Sequence, residues 1–117
     1  MKLPDHELAI VPPVKIVGYL LSASHRAGKS KAAFFGSFGF SVHKWEVMVE
    51  ALRSHVREND VSVMEETEFG VRYIIDGPLH SPDGVVLRVR SVWFVDKGGI
   101  VPRFVTAHPL RKETRND

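Results

Sequence analysis

The chain has 117 residues, of which 44% are hydrophobic and 26% charged, and it contains no cysteine. That length fits one domain, since domains typically hold about 100–150 residues, and the absence of cysteine excludes disulfides, thiolate metal sites and a thiol nucleophile. The net charge is +2, and no apolar run approaches the roughly 18 residues that a membrane-spanning helix needs. Residues 1–9 carry Asp5 and Glu7 and no apolar stretch, so they do not read as a signal peptide, and the expected location is cytoplasmic.

In chain order, Ile10 and Val11 lead in extended form to Pro12-Pro13, and Pro13 suits a first helical position, where a missing N–H is harmless. Apolar residues at Val14, Ile16, Val17, Leu20 and Leu21 predict a helix over Val14–Leu21. Ser22–Gly28 is turn-like. A second helix is expected over Lys29–Phe38, with Ala32, Phe35 and Phe38 on one stripe and Gly39 closing it. Ser41 reads as an N-cap. The helix after it, Val42 to Glu58, buries Trp45, Met48, Val49, Leu52 and Val56. Strands are expected over Val61–Glu68, Val71–Gly77, Val85–Val95 and Ile100–Ala107, joined by short turns. Helices followed by strands predict an α+β fold, with N-terminal helices packed on one face of a four-stranded antiparallel meander. All of residues 1–117 read as a single domain, with residues 110–117 a disordered tail.

Charge is unevenly distributed. Leu8 to Trp45 holds five Lys/Arg and no acid, Glu58 to Glu68 holds five acids and no base, and Arg88 to Asp117 holds seven bases against three acids. If the two basic blocks meet in space, they attract phosphate; otherwise they are solvated faces.

Period two places Leu87, Val89, Ser91 and Trp93 of the third strand under the helices, and Arg88 and Arg90 on the opposite face. Two guanidiniums side by side suit an anion. The alternative is that each pairs with an acid of the neighbouring strand, such as Asp76 or Glu66. On the last strand, Phe104, Thr106 and His108 share one face, and Arg103, Val105 and Ala107 the other. If Val105 and Ala107 face the core, Thr106 and His108 join the arginines. His108 is then either a general acid or base, or an exposed strand-end histidine.

The loop Ser24–Lys31 gathers His25, Arg26, Lys29 and Lys31 around Gly28. It lacks the GxxxxGK[ST] spacing of a nucleotide P-loop. A glycine turn opening onto a helix can still hold a phosphodiester, and the alternative is a solvated loop. There is no HExxH, no DxDxDG and no GxSxG, so no metal, cofactor or serine-hydrolase chemistry is expected.

The segments GYLLSASHRAGKSKAAFFGSFGF (Gly18–Phe40), VRSVWFV (Val89–Val95) and PRFVTAHP (Pro102–Pro109) resemble a small bacterial family of uncharacterised domains over residues 10–109. That family is associated with toxin–antitoxin pairs and polymorphic toxins, and it resembles the barnase–EndoU–colicin–RelE superfamily of metal-independent ribonucleases. The resemblance implies helices packed on a four-stranded antiparallel sheet. It implies active-site roles for His25, Lys31, Arg90, Thr106 and His108. His108 stands where the family usually has Tyr, and Arg26 where Pro is common.

The implied reaction is RNA cleavage by internal attack of a ribose 2′-OH on the adjacent phosphorus. It needs a base, an acid and cations for the phosphorane. His25 and His108 are the candidate acid–base pair, in either direction. Lys31 and Arg90 would stabilise charge, Thr106 would hydrogen-bond a phosphate oxygen, and Arg26, Gly28, Lys29 and Arg88 would hold flanking phosphates. DNA, lacking the 2′-OH, would be spared. The expected partners are RNA and an acidic antitoxin protein, with no membrane. A homodimer through the acidic segment stays open. The competing reading is a non-catalytic module that binds nucleic acid or protein with the same basic face.

Overall fold

Pro13 opens the first helix as expected: α1 (Pro13–Lys15) runs directly into a π-helical turn (Ile16–Leu20). The structure, a computed structural model, describes residues 1–110. The expected apolar stripe is only half buried here. Ile16, Leu20 and Leu21 enter the core, whereas Val14 is 70% and Val17 41% exposed. A π turn advances the side chains by less per residue than an α-helix, so the stripe read with a 3.6 period drifts off the core.

α2 (Lys29–Gly36) is shorter than expected and buries Phe35. Gly39 takes φ +100° just beyond it, a conformation that side-chain-bearing residues avoid. The Ser41 hydroxyl accepts the His43 N–H at 3.1 Å, so the N-cap is real, but it opens a 3₁₀ turn (Val42–Lys44) before α3 (Trp45–Glu58). α3 buries Met48, Leu52, His55 and Val56 against the sheet.

The four strands are β1 (Val63–Thr67), β2 (Gly70–His80), β3 (Val86–Asp96) and β4 (Arg103–Pro109), all antiparallel in the order β1-β2-β3-β4. The fold is therefore α+β with a meander sheet. β2 continues through Pro78 to His80, past the expected end at Gly77. Pro78 is tolerated because β1 pairs β2 only from Gly70 to Ile74, leaving an edge where no ladder donor is needed. The outer side of β4 is partly closed by Ile10, whose N–H donates to Pro102 O and whose carbonyl accepts from Phe104 N.

Leu87, Val89, Ser91 and Trp93 face the helices, as period two predicts. A fully buried residue of this size contributes roughly 1.5–3 kcal/mol, so this row anchors the sheet to α3. The expected tail begins at Leu110, whose N–H donates to the Arg88 carbonyl at 2.9 Å; residues 111–117 lie outside the described residues. No helix among the described residues is long and apolar enough to cross a membrane.

Candidate active site

The outward face of the sheet carries the first half of the site. Asp76 on β2, Arg90 on β3 and His108 on β4 stand in one row across three strands, and Val92 and Thr106 form the next pair along. Thr106 and His108 thus join Arg90, as the conditional expectation had it. Phe104 does not share their face. The register slips between Val92 and Trp93, so Val105 is the extra residue and Phe104 pairs with Trp93. A bulge breaks the alternation, turning Phe104 inward to 1% exposure and setting its ring edge-on to Trp93 at 5.4 Å.

The second half arrives over the β4 edge. The Tyr19 hydroxyl, from the π turn, lies 2.8 Å from Thr106 Oγ1. Lys31, from the first turns of α2, donates from Nζ to Tyr19 Oη at 2.6 Å and to Thr106 Oγ1 at 2.9 Å. The ammonium groups of Lys15 and Lys31 each lie 5.1 Å from the Tyr19 ring centroid, within cation–π range.

Gly28 allows this arrangement. A Cβ there would stand 2.1 Å from the Tyr19 carbonyl oxygen, so only glycine lets the loop lie against the π turn. His25 organises the same loop. Its Nδ1 accepts the N–H groups of Ala27 at 3.0 Å and Gly28 at 3.1 Å, and its carbonyl accepts those of Gly28 and Lys29. The His25 ring meets the Tyr19 ring edge-on at 5.0 Å.

Electrostatics sorts the titratable groups. Burial, reinforced by the charges of Lys31 and Arg90, pushes the His108 imidazole below its ordinary value, against an opposing pull from Asp76. It therefore favours the neutral, proton-accepting form. Burial alone would raise the Tyr19 phenol. Hydrogen bonds from Lys31 and Thr106 and the charges of Lys31 and Lys15 together outweigh it and hold the phenol below its usual value.

Arg90 resolves the choice left open by sequence. Its Nε and Nη2 grip Asp76 at 2.7 and 2.9 Å, a bidentate pair on the neighbouring strand. The Arg90 hydrogen bond, stronger than the opposing burial, holds the Asp76 carboxyl below its ordinary value. Arg90 still has three of its five N–H donors beyond this pair. Glu66, the other candidate partner, lies on β1 opposite Val71.

His25, Lys31, Thr106, His108 and Arg90 thus border one patch, and both imidazoles are partly exposed. Arg88 is exposed on the same face, one residue pair beyond Asp76–Arg90. Arg26 on the loop and Lys29 at the start of α2 are exposed, while Gly28 is buried and acts by its shape. Sequence reasoning missed Tyr19 and Lys15, whereas Asp76 was one of the two partners it offered for the outward arginines. The signal for Tyr19 was a tyrosine standing off the apolar stripe of its helix. Two surface clefts lie elsewhere, one between α3 and the end of β2, the other beside the β3–β4 turn, and neither includes these residues. Among the described residues, no group of three or more His, Asp or Glu is placed to hold a metal ion.

The model of a domain family of unknown function, DUF6883, matches residues 2–111, and the chain belongs to that family. No curated protein matches it. Among solved structures, a chain of a contact-dependent growth inhibition toxin–immunity protein complex from Klebsiella pneumoniae 342 shares the fold with a TM-score of 0.69 at 18% identity. The match covers 86% of this chain and 99% of that one.

Proposed function

We propose that this member of the DUF6883 family is a metal-independent endoribonuclease that acts as the toxin of a toxin–antitoxin pair. The observation that carries this reading is the meeting of Tyr19, His25, Lys31, Arg90, Thr106 and His108, drawn from distant parts of the chain, around one cationic patch in which Asp76, the acid among the described residues, is already paired. Such a patch matches the needs of a phosphodiester whose charge grows in the transition state.

In this reading, His108 takes the proton of the 2′-OH, because a lowered imidazole is neutral at physiological pH. The ammonium of Lys31 and the remaining donors of Arg90 face the non-bridging oxygens of the phosphorane. Thr106 hydrogen-bonds one of them and steers Lys31. His25 closes the loop side of the patch, and Arg26, Lys29 and Arg88 hold flanking phosphates.

The partner is an acidic antitoxin that covers the basic patch by charge complementarity. The fold shared with a chain of a toxin–immunity protein complex supports that pairing. Self-pairing of β1 about a two-fold axis between Glu65 and Glu66 is disfavoured, since it sets Glu65 of each chain against Glu66 of the other.

The second reading, a non-catalytic binding module, draws on the Arg90–Asp76 pair, which neutralises one of the two outward arginines. Induced expression of the wild type and of the His108→Ala variant separates the two. The ribonuclease reading expects growth arrest and fragmented RNA with the wild type, both lost in the variant. Arrest with intact RNA, unchanged by the substitution, supports the module.

A further inference from the structure

Resting on the ribonuclease reading, we infer that Tyr19, rather than His25, is the general acid that works opposite His108. The partners of His25 fix the place of its ring hydrogen. A ring nitrogen that accepts hydrogen bonds carries no hydrogen, and Nδ1 accepts two, from Ala27 N and Gly28 N. The ring hydrogen therefore sits on Nε2. Nδ1 is thus committed to the two N–H groups of the loop, and only Nε2 is left to face a substrate. His25 is built to hold the loop and to donate a hydrogen bond from Nε2.

Tyr19 has what His25 lacks. Its hydroxyl shares a hydrogen bond with Thr106 at 2.8 Å and receives one from the Lys31 ammonium at 2.6 Å. A phenolate formed there is met at once by a positive charge, with Lys15 close to the same ring. Placement agrees. Thr106 and His108 lie two residues apart on one face of β4, about 7 Å along the strand. A phenol beside Thr106 and an imidazole at 108 therefore stand at two successive outward positions of β4, a spacing that one phosphodiester can bridge. An in-line displacement needs its acid and base at opposite ends of such a gap.

The step balances. The 2′-oxygen forms a bond to phosphorus and its proton passes to His108. The bond from phosphorus to the 5′-oxygen breaks, and that oxygen takes the Tyr19 proton. The products are a 2′,3′-cyclic phosphate, a 5′-hydroxyl, an imidazolium at His108 and a phenolate at Tyr19. Transfer of one proton from imidazolium to phenolate, through water, restores the site.

The test uses the full chain and two substrates: an oligoribonucleotide that the wild type cuts, and the same strand with sulfur replacing the bridging 5′-oxygen at that linkage. A thiolate leaves without a proton, so it needs no acid. Tyr19→Phe should slow the oxygen substrate by about 10²–10⁴-fold yet cut the sulfur substrate within a few-fold of wild type. His108→Ala should be slow on both, and His25→Ala equally slow on both. A second measurement needs no variant: the basic limb of the wild-type pH profile should vanish with the sulfur substrate. Equal slowing of Tyr19→Phe on both substrates, rescue of His25→Ala by sulfur, or a basic limb that persists would each overturn the assignment to Tyr19 while leaving the ribonuclease reading intact. A wild type that cuts no RNA ends both.

Discussion

The side chains of Lys31 on α2 and Thr106 on β4, 75 residues apart in sequence, are joined by a 2.9 Å hydrogen bond. That bond ties the basic N-terminal block to the outward face of the sheet. Because Lys31 also donates to Tyr19, one ammonium positions two hydroxyls. Lys31→Ala should reduce RNA cleavage by about 10²–10³-fold, the usual loss for one donor to a charged transition state. Thermal melting should shift little, since Lys31 is partly exposed. A large drop in melting temperature with cleavage preserved would assign the residue to stability instead.

The pH dependence of cleavage follows from His108. A base must be neutral to work, and its imidazole is held below the ordinary value, about 6.5 in model peptides. The acid limb of kcat/KM should therefore have its midpoint below that value, so that activity persists into mildly acidic solution. His108→Ala should remove the limb along with most of the rate. A midpoint above the ordinary value would mean that burial and the charges of Lys31 and Arg90 do not govern this ring.

A second histidine sets the pH dependence of stability. His55 on α3 is 1% exposed. Its Nε2 faces the Gly77 carbonyl at 3.1 Å and must donate to it. Its Nδ1 then accepts the Ser91 hydroxyl at 2.9 Å, and Ser91 Oγ accepts the Trp93 indole N–H at 2.9 Å. Burial pushes this imidazole below its ordinary value, with backbone hydrogen bonds and nearby acids opposing. The unfolded chain gains a proton below about pH 6.5 that the folded chain refuses. The stability contribution is thus full above that pH and declines as the pH falls. His108, shifted the same way, adds to the decline. Urea midpoints at pH 7.5 and 5.5 should differ in the wild type and differ less in His55→Gln. His55→Ala should be destabilised by about 2–5 kcal/mol, because it opens a cavity and strands two buried partners.

Two glycines of the same region should respond in opposite directions. Gly28→Ala places a Cβ against the Tyr19 carbonyl, and backbone cannot give way there. It should destabilise by about 1–3 kcal/mol and reduce cleavage beyond that, since the π turn that carries Tyr19 must shift. Gly36→Ala, at the end of α2, meets nothing within 4 Å. It should be neutral or stabilising by about 0.4–1 kcal/mol and leave cleavage unchanged. Similar effects of the two substitutions on cleavage would remove the Gly28–Tyr19 contact from the account.

The sheet was legible because its signal is local. Strict alternation in β3 assigned Leu87, Val89, Ser91 and Trp93 to one face and Arg90 to the other, and short turns implied the meander. α3 was legible from its stripe, and Ser41 marked the 3₁₀ turn that leads into it. What escaped depends on geometry that a repeating period does not encode. One extra residue at Val105 turned Phe104 inward. A π turn moved Val17 off the core and brought Tyr19 over the β4 edge. The Arg90–Asp76 pair was one of two alternatives open to sequence, and only the register Asp76↔Arg90 selects it. His55, a polar side chain on an apolar stripe, was invisible as a core residue because its partners Ser91 and Gly77 come from two other elements.

Metal-independent attack by the 2′-OH is open to one decisive measurement: incubation of the purified chain in EDTA with an oligoribonucleotide and with the same strand carrying a 2′-deoxyribose at the cleaved position. The first strand should be cut, leaving a 2′,3′-cyclic phosphate at the new end, and the second should stay intact at the deoxy position. Intact RNA under these conditions, or equal cleavage of both strands, would contradict it.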